Sequence, residues 1–118
     1  MLLSKEDILS KSDLPFEDVD VPEWGGKVRV RTMTGSQRDA WETSVYVTKG
    51  DVVEVNRDEF RAKLLARCIV NEKGERLFTD KEISALSGKS SKALDRLFAV
   101  AQELNAVGRK EADDLKKK

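Results

Sequence analysis

The sequence predicts an α+β fold, mostly helical, with an N-terminal β-hairpin packed against a small bundle of about four helices. Two patterns carry that expectation. From residue 27 to 33 the chain alternates, with Val28 and Val30 on one side and Arg29 and Arg31 on the other, and Val19 and Val21 repeat the spacing upstream. Pro22 and the Gly25-Gly26 pair stand between the two runs: Pro22 lacks an amide hydrogen and suits the end of an edge strand, and glycine accepts the positive φ of a tight turn. Farther on, the period changes. Phe60, Leu64 and Cys68, and later Leu94, Leu97, Phe98, Ala101 and Leu104, fall on single helical faces.

The elements follow in order. Ser4 and Asp7 hold capping positions for a short helix over residues 4–11, with Ile8 and Leu9 as its apolar contacts, and Leu14-Pro15 ends it. The hairpin occupies residues 17–33. Thr34 and Gln37 form a capping box for a helix near 35–47 that carries Trp41 and Val45. Residues 48–55 read as a loop around Lys49-Gly50-Asp51, in which Val52, Val53 and Val55 form at most a brief strand. A second capping box, Asn56 and Glu59, opens the central core helix at 57–70. A turn at 72–75 and an extended piece, Arg76-Leu77-Phe78, lead to a third box, Thr79 and Glu82, and a helix at 80–86. The last helix spans 90–107, with Gly108 in the position of a C-terminal glycine cap. Residues 1–108 make one domain and 109–118 a charged, disordered tail. Phe60, Leu64, Ile69, Leu94, Phe98 and Leu104 are expected in the core.

Composition narrows the function. The 118 residues hold 22 basic and 22 acidic side chains, so no global field draws in nucleic acid or an anionic membrane. There is no histidine, which removes the commonest general base and metal ligand together. Cys68 is alone, so no intramolecular disulfide or cysteine-rich zinc site forms. The N-terminus carries acids where a signal peptide would become apolar, and no apolar run nears the roughly 20 residues of a membrane span. The expectation is a soluble cytoplasmic protein that is not an enzyme and holds no cofactor or metal.

Individual motifs agree. Ser87-Gly88-Lys89-Ser90 contains the Gly-Lys-Ser of a phosphate-binding loop, but Ile83 stands where the first glycine belongs, and a helix rather than a strand precedes it. It reads as the loop into the last helix. The acids Glu17, Asp18, Asp20 and Glu23 face Arg29 and Arg31 and read as cross-strand ion pairs. Cys68, on an apolar stripe, reads as core. Trp24, in a turn, either packs at home or contacts a partner. The basic set Lys27, Arg29, Arg31 and Arg38 is blunted as a nucleic-acid site by the interleaved acids.

Residues 21–42, with Arg67-Cys68-Ile69-Val70, Gly74, Arg76-Leu77-Phe78-Thr79-Asp80 and 83–86, resemble the tail assembly chaperones of long-tailed bacteriophages. The resemblance spans roughly residues 14–104. It implies a non-virion assembly factor, at work in the host cell cytoplasm, that binds the tape measure protein, keeps it soluble and recruits tail tube protein around it. It also implies a short form and a longer product of ribosomal frameshifting, for which Lys116-Lys117-Lys118 fits a slippery adenine run. A homo-oligomer is expected, with no nucleic-acid or membrane partner. Candidate contact residues are Trp24, Arg29, Arg31 and Arg38 as an arginine–aromatic patch, and Val52 and Val53 on the adjoining loop. The rival reading is a small DNA-binding or regulatory protein with the last helix as reader, against which Leu94, Leu97 and Phe98 argue burial.

Overall fold

The computed structural model describes residues 1–107. Ser4 and Asp7 cap helix α1 (Lys5–Ser10) reciprocally, as their spacing predicts. The apolar contacts expected of α1 do not form, however. None of its residues is buried, and Ile8 and Leu9 are 57% and 76% exposed. Six residues make fewer than two turns, a short apolar face to bury.

Strands β1 (Phe16–Val21) and β2 (Gly26–Arg31) pair antiparallel, with Val19 opposite Val28 and Asp18 opposite Arg29. Opposed residues share a face, so Val19, Val21, Val28 and Val30 point inward together. The connection is one 3₁₀ turn, Pro22–Trp24, closed by Gly25 at φ 75°, whose N–H donates to the Pro22 carbonyl at 3.1 Å. Gly25 alone needs the left-handed region, since Gly26 already belongs to β2. A third strand, β5 (Ile69–Val70), pairs with β2, giving the order β1-β2-β5. Pro22 therefore follows an edge strand.

Helix α2 (Gly35–Val45) starts in the Thr34–Gln37 capping box. It ends before Tyr46, and the expected loop at 48–55 is instead a second hairpin. Strands β3 (Tyr46–Lys49) and β4 (Val52–Val55) pair around Gly50 at φ 61°. The Asn56 N–H donates to the Val45 carbonyl at 2.6 Å and closes the base of this arm. The Asn56–Glu59 capping box is also overturned. The Asn56 Oδ1 accepts instead from the Asp58 amide at 3.0 Å, Glu59 adopts φ 54°, and helix α3 (Phe60–Cys68) begins late, without a side-chain cap. An Asx turn has outcompeted the helix start.

After β5, the Asn71 Oδ1 accepts from the amides of Lys73 and Glu75, folding a turn with Gly74 at φ 83°. Val70 and Arg76 form a bridge. The Thr79–Glu82 box forms, but it caps a 3₁₀ turn, Asp80–Glu82, that feeds α4 (Ile83–Ser87). Ser90 caps α5 (Ser91–Leu104) through the Ala93 amide. The helix stops earlier than expected. Ala106 takes the left-handed position at φ 49°, with its N–H donating to Glu103 and that of Val107 to Gln102. Gly108, expected in that role, and the charged tail lie outside the described residues.

The core joins the inner face of the three-stranded sheet to α2, α3, α4 and α5. Trp41, Leu64, Leu65, Ile69, Leu86 and Leu97 are its largest fully buried side chains. Of the six residues expected there, Leu64, Ile69 and Leu94 are buried, and Phe60, Phe98 and Leu104 pack half-buried at its margin. Phe60 sits edge-on to Trp41 and tilted against Phe98, both with centroids 5.7 Å away.

Candidate partner-binding surface

The outward face of the first hairpin carries Phe16, Asp18 and Asp20 on β1 against Arg31, Arg29 and Lys27 on β2. The expected cross-strand pairing forms at Asp18. The Arg29 Nε donates to its Oδ1 at 2.7 Å and Nη2 to its Oδ2 at 3.0 Å. Each partner stabilises the other's charge, so the Asp18 carboxyl is held below its ordinary range and the Arg29 guanidinium above its own. Arg29 also lies 3.9 Å above the Phe16 ring centre, and Phe16 is 52% exposed. Arg31, opposite Phe16, is half-buried beside the Asn71 turn. Gly74 leaves room for it, since a Cβ there would stand 2.8 Å from the Arg31 Nη1.

The other candidates lie apart from this face. Arg38 is tied to the far end of α5, where its Nη1 donates to the Asn105 carbonyl at 2.6 Å, and it approaches the Trp41 ring at 5.9 Å. That is a strut of the fold. Trp24 is half-buried, packed against the core from the 3₁₀ turn, so its indole is only partly available to a partner. Glu23 beside it grips Arg96 of α5 through both oxygens, which pulls the Glu23 carboxyl down to about 2. Val52 and Val53 are 56% and 54% exposed on the β3–β4 arm. They point to opposite faces of the ribbon, with Val47 on the Val52 face and a Lys49–Glu54 ion pair at 3.3 Å beside them.

Sequence reasoning missed two parts of the exposed apolar surface. Leu2 and Leu3, ahead of α1, are exposed, as are Ile8 and Leu9 on it, the two residues expected to pack. Phe16, next to Pro15, is the other part, set across from Arg31 by the strand register.

The remaining motifs take structural places. Ser87–Ser90 is the turn into α5. Cys68 is buried, and desolvation pushes its thiol up to about 12. The apolar face of α5, with Ala93, Leu94, Leu97 and Ala101, is in the core, which removes it as a groove reader. Among the described residues no three His, Cys, Asp or Glu side chains gather as a metal site, and no helix is long and apolar enough to cross a membrane.

The described chain is a strand hairpin that leads through a capped helix into a second, exposed hairpin, over a helical core. The family model for phage tail assembly chaperones matches residues 6–118, and the chain belongs to that family. Among solved structures, the tail assembly chaperone of bacteriophage HK97 is similar at a TM-score of 0.56 and 21% identity, over 77% of this chain and 85% of that one. At that identity the likeness speaks to the fold. A search of curated proteins finds no match.

Proposed function

We propose that this chain binds the tape measure protein of its phage, keeps it soluble in the host cytoplasm, and recruits tail tube protein around it, acting as a homo-oligomer that does not remain in the virion. Membership of the tail assembly chaperone family over residues 6–118 carries this reading. The physical support is the exposed surface. A long helical partner presents apolar stripes that water disfavours, and its keeper must cover them without locking them away. The β3–β4 arm offers Val47 and Val52 on one face and Val53 on the other, and the first hairpin offers Phe16 between arginines. Patches of this size suit contacts repeated over many copies.

The test is co-expression with the tape measure protein of the same phage. The reading expects that protein to move from the insoluble to the soluble fraction and to co-purify with this chain at a mass above one-to-one. Equal solubility of the tape measure protein alone, with no complex on gel filtration, overturns it.

A further inference from the structure

Between the segment that leads out of α1 and the Asn71 turn lies a cleft of about 280 Å³. Lys11, Arg29, Arg31 and Lys73 line it, against the carboxylates of Asp13 and Glu72. Asp18 already satisfies Arg29. Arg31 differs: among the described residues its guanidinium makes no hydrogen bond or ion pair, yet it is half-buried. Its five N–H donors stay within reach of water and have no protein acceptor, so a carboxylate entering the cleft finds them uncommitted. Gly74 borders the opening, and a side chain there would have to push the Arg31 fork aside.

We propose that this cleft is a carboxylate-binding site, in which Arg31 takes an Asp or Glu side chain of a partner segment in a forked hydrogen bond while Phe16 receives the apolar residue next to it. A planar guanidinium matches a carboxylate two bonds to two. The Phe16 ring is fixed from one side by Arg29 and half-open on the other, directly across the sheet from Arg31. The ligand is therefore a single acid beside an apolar side chain, as an amphipathic helix presents. A nucleic-acid backbone suits it poorly, since Asp13, Glu72 and Asp20 stand around the same face and repel a continuous row of phosphates. The inference rests on the proposed partner, the tape measure protein, for the source of that segment.

Peptides tiling the tape measure protein of the same phage, each acidic one paired with a Gln/Asn version, are titrated against the full chain by fluorescence anisotropy. Wild type is expected to hold a subset of acidic peptides, Arg31→Glu to weaken them by about tenfold or more, and Arg31→Lys to retain part of the affinity. Lys73→Glu, at the exposed rim, is the second variant and should weaken the same subset while leaving the melting temperature unchanged. The Gln/Asn versions should bind weakly and indifferently to all variants. Binding that survives both charge reversals, or that is equal for the Gln/Asn versions, overturns the site while a co-purifying complex leaves the chaperone reading intact. Absence of any complex with the whole tape measure protein removes both. A change in self-association in Arg31→Glu, with peptide binding untouched, gives the cleft to a second copy of the chain and also overturns the proposal.

Discussion

Asn105, at the end of α5, accepts the Met33 amide hydrogen bond on its Oδ1 at 2.6 Å and donates from its Nδ2 to the Ala101 carbonyl at 2.8 Å. The two residues lie 72 positions apart, and this buried contact fastens the exit of β2 to the last helix. The Asn105 carbonyl is held in turn by Arg38.

Asn105→Ala should destabilise the fold by about 1–3 kcal/mol, because the Met33 amide would remain buried without an acceptor. Urea unfolding followed by circular dichroism measures this. A midpoint equal to wild type would mean that water or another group takes over the amide.

Leu64→Ala removes a fully buried side chain from α3 and should cost about 2–5 kcal/mol through lost contacts and the residual cavity. A melting temperature within error of wild type would contradict the packing described for that helix.

The Glu23–Arg96 pair sets a pH dependence. The Glu23 carboxyl sits near 2 in the folded chain against an ordinary 4.5, first through the Arg96 hydrogen bonds, so the unfolded chain takes up its proton first on acidification. Its contribution is complete above pH 4.5 and fades as pH falls towards 2. The difference in melting temperature between wild type and Glu23→Gln should accordingly shrink across that window. A difference that grows as pH falls would reverse the sign.

Burial holds the Cys68 thiol near 12 against an ordinary 9.0, so it stays neutral in the native state where an unfolded thiol ionises. A disulfide reagent at pH 8 should label it only at the rate of unfolding and immediately in denaturant. By the same linkage, its contribution to stability declines as pH rises above 9. Fast native labelling would place the thiol at the surface.

Val52→Ser with Val53→Ser should leave the melting temperature almost unchanged, since both side chains are more than half exposed. Capture of the tape measure protein should fall. Unchanged capture would move the contact from the arm to the outer face of the first hairpin.

The first hairpin was legible because every local signal agreed: valines two apart, Pro22 at the strand end and Gly25 in the turn. The second was not. Val52 and Val53 are consecutive, which hides a period of two, and Tyr46-Val47 continues an apparently helical run. β5 was invisible for a related reason: Ile69 and Val70 extend the apolar stripe of α3, and only the partner strand makes them extended. At Asn56 two uses of one side chain competed, and spacing alone cannot rank a turn above a cap. The candidate surface was half legible. Arg29 and Arg31 share a face by alternation, but the capture of Arg29 by Asp18, the strut role of Arg38 and the place of Phe16 depend on register and tertiary contacts.

Trp41 is fully buried, and among the described residues its indole Nε1 has no acceptor, whereas Trp24 is half-buried in the surface turn. The two indoles thus sit in different dielectric surroundings. Trp41 should therefore emit at shorter wavelength, out of reach of a soluble quencher, and Trp24 farther to the red and within reach of one. The protein carries its own pair of optical reporters. Unfolding registers through Trp41, and any molecule that settles against the turn of the first hairpin registers through Trp24, without a label being attached.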